Sequence, residues 1–243
     1  MEVTEFRTAK GPVSLWGGLG QFSTERPLLL VIRGAFPIPE HLTSMPDRLP
    51  TADVALAHLP GMHTPMFADC SISGFASGFD ELIEQAFPGR PVTVLGASMG
   101  GLAALSLRHP AVRRILALDP PLSTAGLWPM RNWLRDKVNE SAEARRWIWE
   151  IFGLDEHRVE NRDYAPVLAG LDAPARVLLG SSPLDPERPF ELMPSLVGEA
   201  DRRLYRGHPN VEIEVVPDTG HNIPRDGLVT MMARLREALG VQP

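Results

Sequence analysis

The sequence is poor in cysteine, in lysine and in long apolar runs, and each shortage removes a class of protein. A single thiol, Cys70, leaves no partner for an intrachain disulfide, so the chain is not a disulfide-held secreted scaffold, and a reducing cytoplasm is its natural compartment. No stretch reaches the roughly 18 apolar residues that a membrane span needs. The opening "MEVTEFRTAKG" carries two glutamates and no apolar core of a signal peptide. Lysine stands only at Lys10 and Lys137, so arginine supplies almost all of the 24 basic residues, which reads as coding bias. These residues form no block, and with a net charge of −6 nucleic acid is not the expected partner. Repeats and low-complexity segments are lacking too, and the 24 prolines are scattered through loops instead of forming a linker.

What is present is the composition of an ordinary globular protein. The chain has 243 residues, 44% of them hydrophobic and 22% charged, enough for one large core. Strand-like and helix-like segments alternate. "PLLLVIRGAF" (27–36), "ADVALAHLP" (52–60), residues 92–96, "RRILALD" (113–119), "ARVLLG" (175–180) and "VEIEVVP" (211–217) read as strands. The first is too uniformly apolar to have a wet face. Helical spacing runs through 73–87, about 98–108, and a closing helix that ends at Gly240. Residues before 27 suggest a hairpin at a sheet edge. Such alternation predicts an α/β fold with a doubly wound, mostly parallel sheet. One interval, 121–170, has no strand-like run but two helical patterns and four of the five tryptophans, Trp128, Trp133, Trp147 and Trp149. It reads as a small helical insertion after the strand that ends at Asp119, with the core formed by 1–120 and 171–243.

The chemistry begins at "PVTVLGASMGG" (91–101), where a buried strand breaks into Gly96-Ala97-Ser98-Met99-Gly100 and resumes as a helix. A Gly-x-Ser-x-Gly turn between strand and helix holds the serine on a sharp bend with its hydroxyl projecting from the sheet edge. Side chains at 96 and 100 would collide with neighbouring chain, which glycine avoids. The new helix aims its free N–H groups at charge forming on a substrate, Met99 N–H first among them. A serine hydroxyl needs a base. Of the seven histidines, His221 in "PDTGHNIP" follows a strand and precedes the last helix, which puts it at the same sheet edge as Ser98. His58 and His63 have a spacing that suits neither a helix face nor a strand face, and no carboxylate cluster joins them, so no metal site is expected. For the acid that orients the histidine, Asp185 in "LGSSPLD" follows the strand just before His221 and is preferred; Asp119, at the end of "RRILALD", is the second choice.

Five motifs in order make the chain resemble the α/β-hydrolase fold family: "LLLVIRGAF", "LAHLPGMHTP", "GASMGG", "LGSSPLD" and "PDTGHNIP". The resemblance covers nearly the whole sequence. It implies a Ser98–His221–Asp185 triad, the insertion 121–170 as a cap over the site, and a second oxyanion donor in the backbone of Ala35 or Phe36. It calls for no cofactor and no metal. The family usually has His-Gly after the oxyanion strand, whereas this chain has Arg33-Gly34. Arg33 is therefore expected either to pair with a nearby carboxylate or to hold an anionic group of the substrate. Trp128, Trp133 and Trp149 cannot all point inward from two short helices, and one or two are expected to roof an apolar pocket. The expectation is a serine hydrolase that cleaves an ester or thioester of a small, partly apolar molecule. Its partner is that small molecule and not a membrane or nucleic acid; a homodimer is compatible with the sequence. Serine-triad lyases, C–C hydrolases and acyltransferases are alternatives on the same fold, and a non-catalytic ligand-binding protein is one of another class.

Overall fold

The apolar run at 28–32 lies in the interior of a sheet that is covered on both faces. A computed structural model describes residues 2–35, 40–62, 64–127, 130–184 and 193–242, without the side chains of residues 40 and 41. Within them, eight strands run in the order β1-β2-β4-β3-β5-β6-β7-β8: β1 (Val3–Thr8), β2 (Gly11–Trp16), β3 (Leu28–Ile32), β4 (Asp53–Ala57), β5 (Val92–Ala97), β6 (Val112–Leu118), β7 (Ala175–Gly180) and β8 (Val211–Val216). β1 and β2 form the edge hairpin; β1 is antiparallel to β2, and β2 to β4. From β4 through β8 every pairing is parallel.

Alternation along β3 explains its unbroken hydrophobicity, since successive side chains leave a strand on opposite faces. Leu28, Leu30 and Ile32 join a core with α3 (Ile72–Ala86) and α4 (Met99–Leu105). Leu29 and Val31 join a second core with α2 (Met45–Arg48) and α9 (Leu228–Leu239) on the other face. The long helices begin and end where the chain gives them partners. Ser71 caps α3 by accepting from Gly74 N at 3.0 Å, which stabilises a helix by about 1 kcal/mol. Gly240, at φ 69°, closes α9 in the left-handed conformation that glycine adopts without strain. The short α1 (Glu40–Thr43) precedes α2.

Between β6 and β7 the chain forms α5 (Arg131–Val138) and α6 (Ala142–Phe152). Each buries one stripe, Leu134 and Val138 on α5, Trp147, Ile148 and Ile151 on α6. Trp147 is fully buried, and its indole N–H donates to Pro60 O at 2.8 Å, which ties α6 to the loop after β4. The remaining helices, α7 (Glu199–Gly207) and α8 (Ile223–Asp226), flank β8 in the chain. No helix among the described residues is long and apolar enough to cross a membrane.

Candidate active site

Strand register brings the chemistry together. Ala97 is paired with Leu118 across β5 and β6, and Leu118 with Leu178 across β6 and β7. The next residues, Ser98 and Asp119, therefore leave the carboxyl ends of neighbouring strands side by side, and Ser98 N donates to Leu118 O at 2.8 Å. Both turn sharply: Ser98 has φ 53° and Asp119 φ 46°, conformations that non-glycine residues hold only where the surroundings fix them. At Ser98 the fixing comes from its glycines. A Cβ on Gly96 would lie 2.5 Å from Gly100 O, and one on Gly100 would run into the carbonyl oxygens of Ile32 and Arg33. Close approach of β5, the turn and β3 is possible only because both are bare.

His221 stands on the loop between β8 and α8 and joins the two. Its Nε2 is 3.1 Å from Ser98 Oγ, and its Nδ1 is 2.8 Å from Asp119 Oδ2. Asp119 can only accept when ionised, which makes Nδ1 the protonated nitrogen and leaves Nε2 free to receive the serine proton. Among the described residues the carboxylate at His221 Nδ1 is thus Asp119, the second choice; Asp185, the preferred acid, lies outside the described residues. Nδ1 carries one hydrogen, and Asp119 receives it. Register places Asp119 here: the end of β6 adjoins the end of β5, so Asp119 leaves the sheet beside Ser98.

Asp119 is fully buried and accepts three further hydrogen bonds. Gly180 N reaches Oδ1 at 3.1 Å, Ser195 Oγ donates to Oδ1 at 2.6 Å, and Leu196 N reaches Oδ2 at 2.9 Å. Ser195 was invisible to sequence reasoning, since "MPSLVG" matches no motif; only the fold brings it to Asp119. The same segment holds the backbone of His221, whose N donates to Met193 O at 3.0 Å.

Ser98 and His221 open into a cavity of about 480 Å³. Its walls are mainly apolar: Leu42, Leu118, Met193 and Pro224, with Met130, Trp133 and Phe152 from the helical segment between β6 and β7. Ala35 and Gly34 line it beside Ser98. Asn222 also borders it, and its buried Oδ1 has no hydrogen-bond partner. Of the three tryptophans among which one or two are expected to roof the pocket, Trp133 alone is found in the lining among the described residues. Trp128 lies outside the described residues, as does Phe36. Trp149 is turned away: its ring lies under the guanidinium groups of Arg158 and Arg162, at 4.1 and 4.8 Å, and borders a groove on the outer face of the helices. Trp149 and Trp147 are two positions apart on α6, so burying Trp147 rotates Trp149 off that face.

Arg33 also differs from expectation. It makes no ion pair with a carboxylate among the described residues, and it does not line the cavity. Its Nη1 donates to His58 Nε2 at 2.5 Å, and His58 packs edge-on against Trp16. Continuing the alternation of β3, whose Leu29 and Val31 face α2, carries Arg33 to the α2 side of the sheet. Burial lowers the guanidinium to about 10 from its usual value, and its Nε is left without an acceptor.

Comparisons with known proteins agree with this architecture. A family model described as "Alpha/beta hydrolase family" matches residues 24–234. No curated protein matches the chain significantly. Among solved structures, a thermophilic esterase from Thermogutta terrifontis is 15% identical with a TM-score of 0.66, over 99% of this chain and 98% of that one. The N-formylmaleamic acid deformylase Nfo of Pseudomonas putida S16, solved as a serine-to-alanine variant, is 16% identical with a TM-score of 0.66, over 96% and 100%. The thioesterase domain from the curacin biosynthetic pathway is 16% identical with a TM-score of 0.62, over 98% and 99%. At these identities the likeness is one of fold.

Proposed function

The chain belongs to the alpha/beta hydrolase family, and on that premise we propose that it is a serine hydrolase acting through an acyl-enzyme on Ser98. The observation that carries the proposal is the hydrogen-bonded line from Ser98 Oγ through His221 to Asp119, with Ser98 and His221 lining an apolar cavity. In this reading His221 Nε2 takes the serine proton as Oγ attacks an ester or thioester carbonyl. Asp119 holds the imidazole in the reactive tautomer and stabilises its charged form. The oxyanion is met by the backbone N–H of Met99, in the first turn of α4 where no helical acceptor precedes it, and by that of Ala35 at the cavity wall. His221 then returns the proton to the leaving group, activates a water molecule, and the acid is released.

The substrate class follows from the walls. No charged side chain lines the described cavity, so a neutral acyl group fits better than an anionic one, and a volume of about 480 Å³ suits a small molecule. We assign α5 and α6 the part of a cap whose Met130, Trp133 and Phe152 exclude water above the serine. The substrate is a small molecule, and the site of action is the cytoplasm. The test is labelling by a fluorophosphonate, followed by a series of p-nitrophenyl esters of increasing acyl length. Labelling lost in Ser98→Ala and in His221→Ala, with a rate maximum between butyryl and octanoyl, is the expected result. A folded wild-type protein that is not labelled would overturn the hydrolase reading, and a maximum at acetyl would overturn the apolar acyl pocket.

A further inference from the structure

The β7–α7 loop contributes a hydroxyl to the Asp119 carboxylate. Ser195 is fully buried on that loop, and its Oγ is 2.6 Å from Asp119 Oδ1. Two donors point at the same Oγ, Val197 N at 3.3 Å and Arg202 Nη2 at 3.3 Å. Neither can accept a hydrogen bond. The single hydroxyl proton therefore has one destination, the Asp119 carboxylate. Arg202, from α7, is itself held: its Nε donates to Val197 O at 3.1 Å and its Nη2 to Gly180 O at 2.8 Å. One guanidinium thus clasps the end of β7, the 195–197 segment and the serine hydroxyl.

We propose that Ser195, oriented by Arg202, is a positioning residue that fixes the Asp119 carboxylate in the plane that His221 needs. The inference rests on the hydrolase reading above for its catalytic meaning, although the geometry it concerns belongs to the resting protein. A carboxylate can rotate about its Cβ–Cγ bond. Asp119 Oδ2 is fixed by Leu196 N and by His221 itself, while Oδ1 is fixed by Gly180 N and by the shorter bond from Ser195. Removing the serine proton donor leaves Oδ1 with the Gly180 N bond alone in a buried site, so that the group can turn and weaken the bond to Nδ1. Loss of a hydrogen bond to a charged group corresponds to about tenfold or more in rate when it acts on the reacting geometry.

The experiment compares wild type with Ser195→Ala, Ser195→Thr and Arg202→Gln in two measurements. The first is the second-order rate of phosphonylation by an uncharged fluorophosphonate, which needs no identified substrate. The second is the low-field proton resonance of His221 Nδ1–H in the unlabelled protein. Ser195→Ala is expected to slow phosphonylation about tenfold or more and to shift and broaden the resonance; Ser195→Thr, which keeps the hydroxyl, is expected to stay within about threefold of wild type. Arg202→Gln should lie between, since the serine proton is then free to turn away. A folded Ser195→Ala that reacts at the wild-type rate with an unmoved resonance overturns the proposal. Should Ser195→Ala fail to fold, a wild-type rate and resonance in Arg202→Gln overturn it equally. If wild type is not labelled at all, the hydrolase reading falls, while the resonance alone decides the positioning role.

Discussion

At the scale of the residue, the site turns on which acid serves His221. Asp119 is fully buried, accepts four hydrogen bonds and meets Nδ1 at 2.8 Å. Asp119→Asn is expected to lower the phosphonylation rate on the order of 10³–10⁴-fold, because an amide favours the wrong imidazole tautomer. Asp185→Asn should stay within about threefold of wild type, since the one Nδ1 hydrogen is already engaged. Parallel rate measurements on the two variants check both statements, and a reversed order would make Asp185 the acid. Ser98 and His221 were legible in the sequence because each sits in a local pattern, a strand–turn–helix glycine motif and a loop between the last strand and the last helix. The acid has no local pattern, since any aspartate after a strand qualifies and only the pairing of strands chooses among them.

At the scale of the element, the turn from β5 to α4 and the junction of α7 with the helical segment carry distinct sensitivities. Gly100→Ala would drive a methyl group into the carbonyl oxygens of Ile32 and Arg33, and a loss of about 3 kcal/mol in urea unfolding is expected. On α7, the buried Asp201 accepts from Leu122 N at 3.1 Å, and so fastens the start of the segment above the site. Burial, with smaller contributions from Asp163 and Asp119, pushes its carboxyl up to about 6 from the usual 3.8. A carboxyl raised in the folded state binds its proton more tightly there than in the unfolded chain. Its contribution is therefore most favourable below about pH 4 and declines as the pH rises through about 6. Relative to Asp201→Asn, wild type should lose about 2–3 kcal/mol of unfolding free energy between these limits. Unfolding of both proteins at several pH values measures the difference, and parallel curves would remove Asp201 as a titrating group.

At the scale of the whole molecule, the sheet positions Ser98, Asp119 and His221, and the helical segment between β6 and β7 forms part of the cavity wall. Trp147 anchors that segment to the core through Pro60, while Trp133, partly exposed at 38%, lies at the cavity wall. Trp133→Ala should enlarge the cavity without touching Ser98 or His221. The acyl-length optimum among p-nitrophenyl esters is expected to move to longer chains, with a change chiefly in KM; an unchanged optimum would place the length limit elsewhere in the wall.

Local order in this chain was written in residue spacing. Alternation of apolar runs and helical stripes determined the α/β class, and Leu28 to Ile32 declared a doubly covered strand because no face of it is polar. The Gly96–Gly100 motif likewise determined where a serine would be held. Residue spacing cannot say which distant residues become neighbours, since that depends on strand order, register and the rotation of helices. Asp119, Ser195 and Arg202 come from three separate elements and meet only when β6 and β7 are paired. The two-residue spacing that buries Trp147 turns Trp149 out to its arginines, and the alternation of β3 takes Arg33 behind the sheet to His58. Long-range packing decided these positions because each side chain follows the direction its backbone is given, and the sheet gives that direction as a whole.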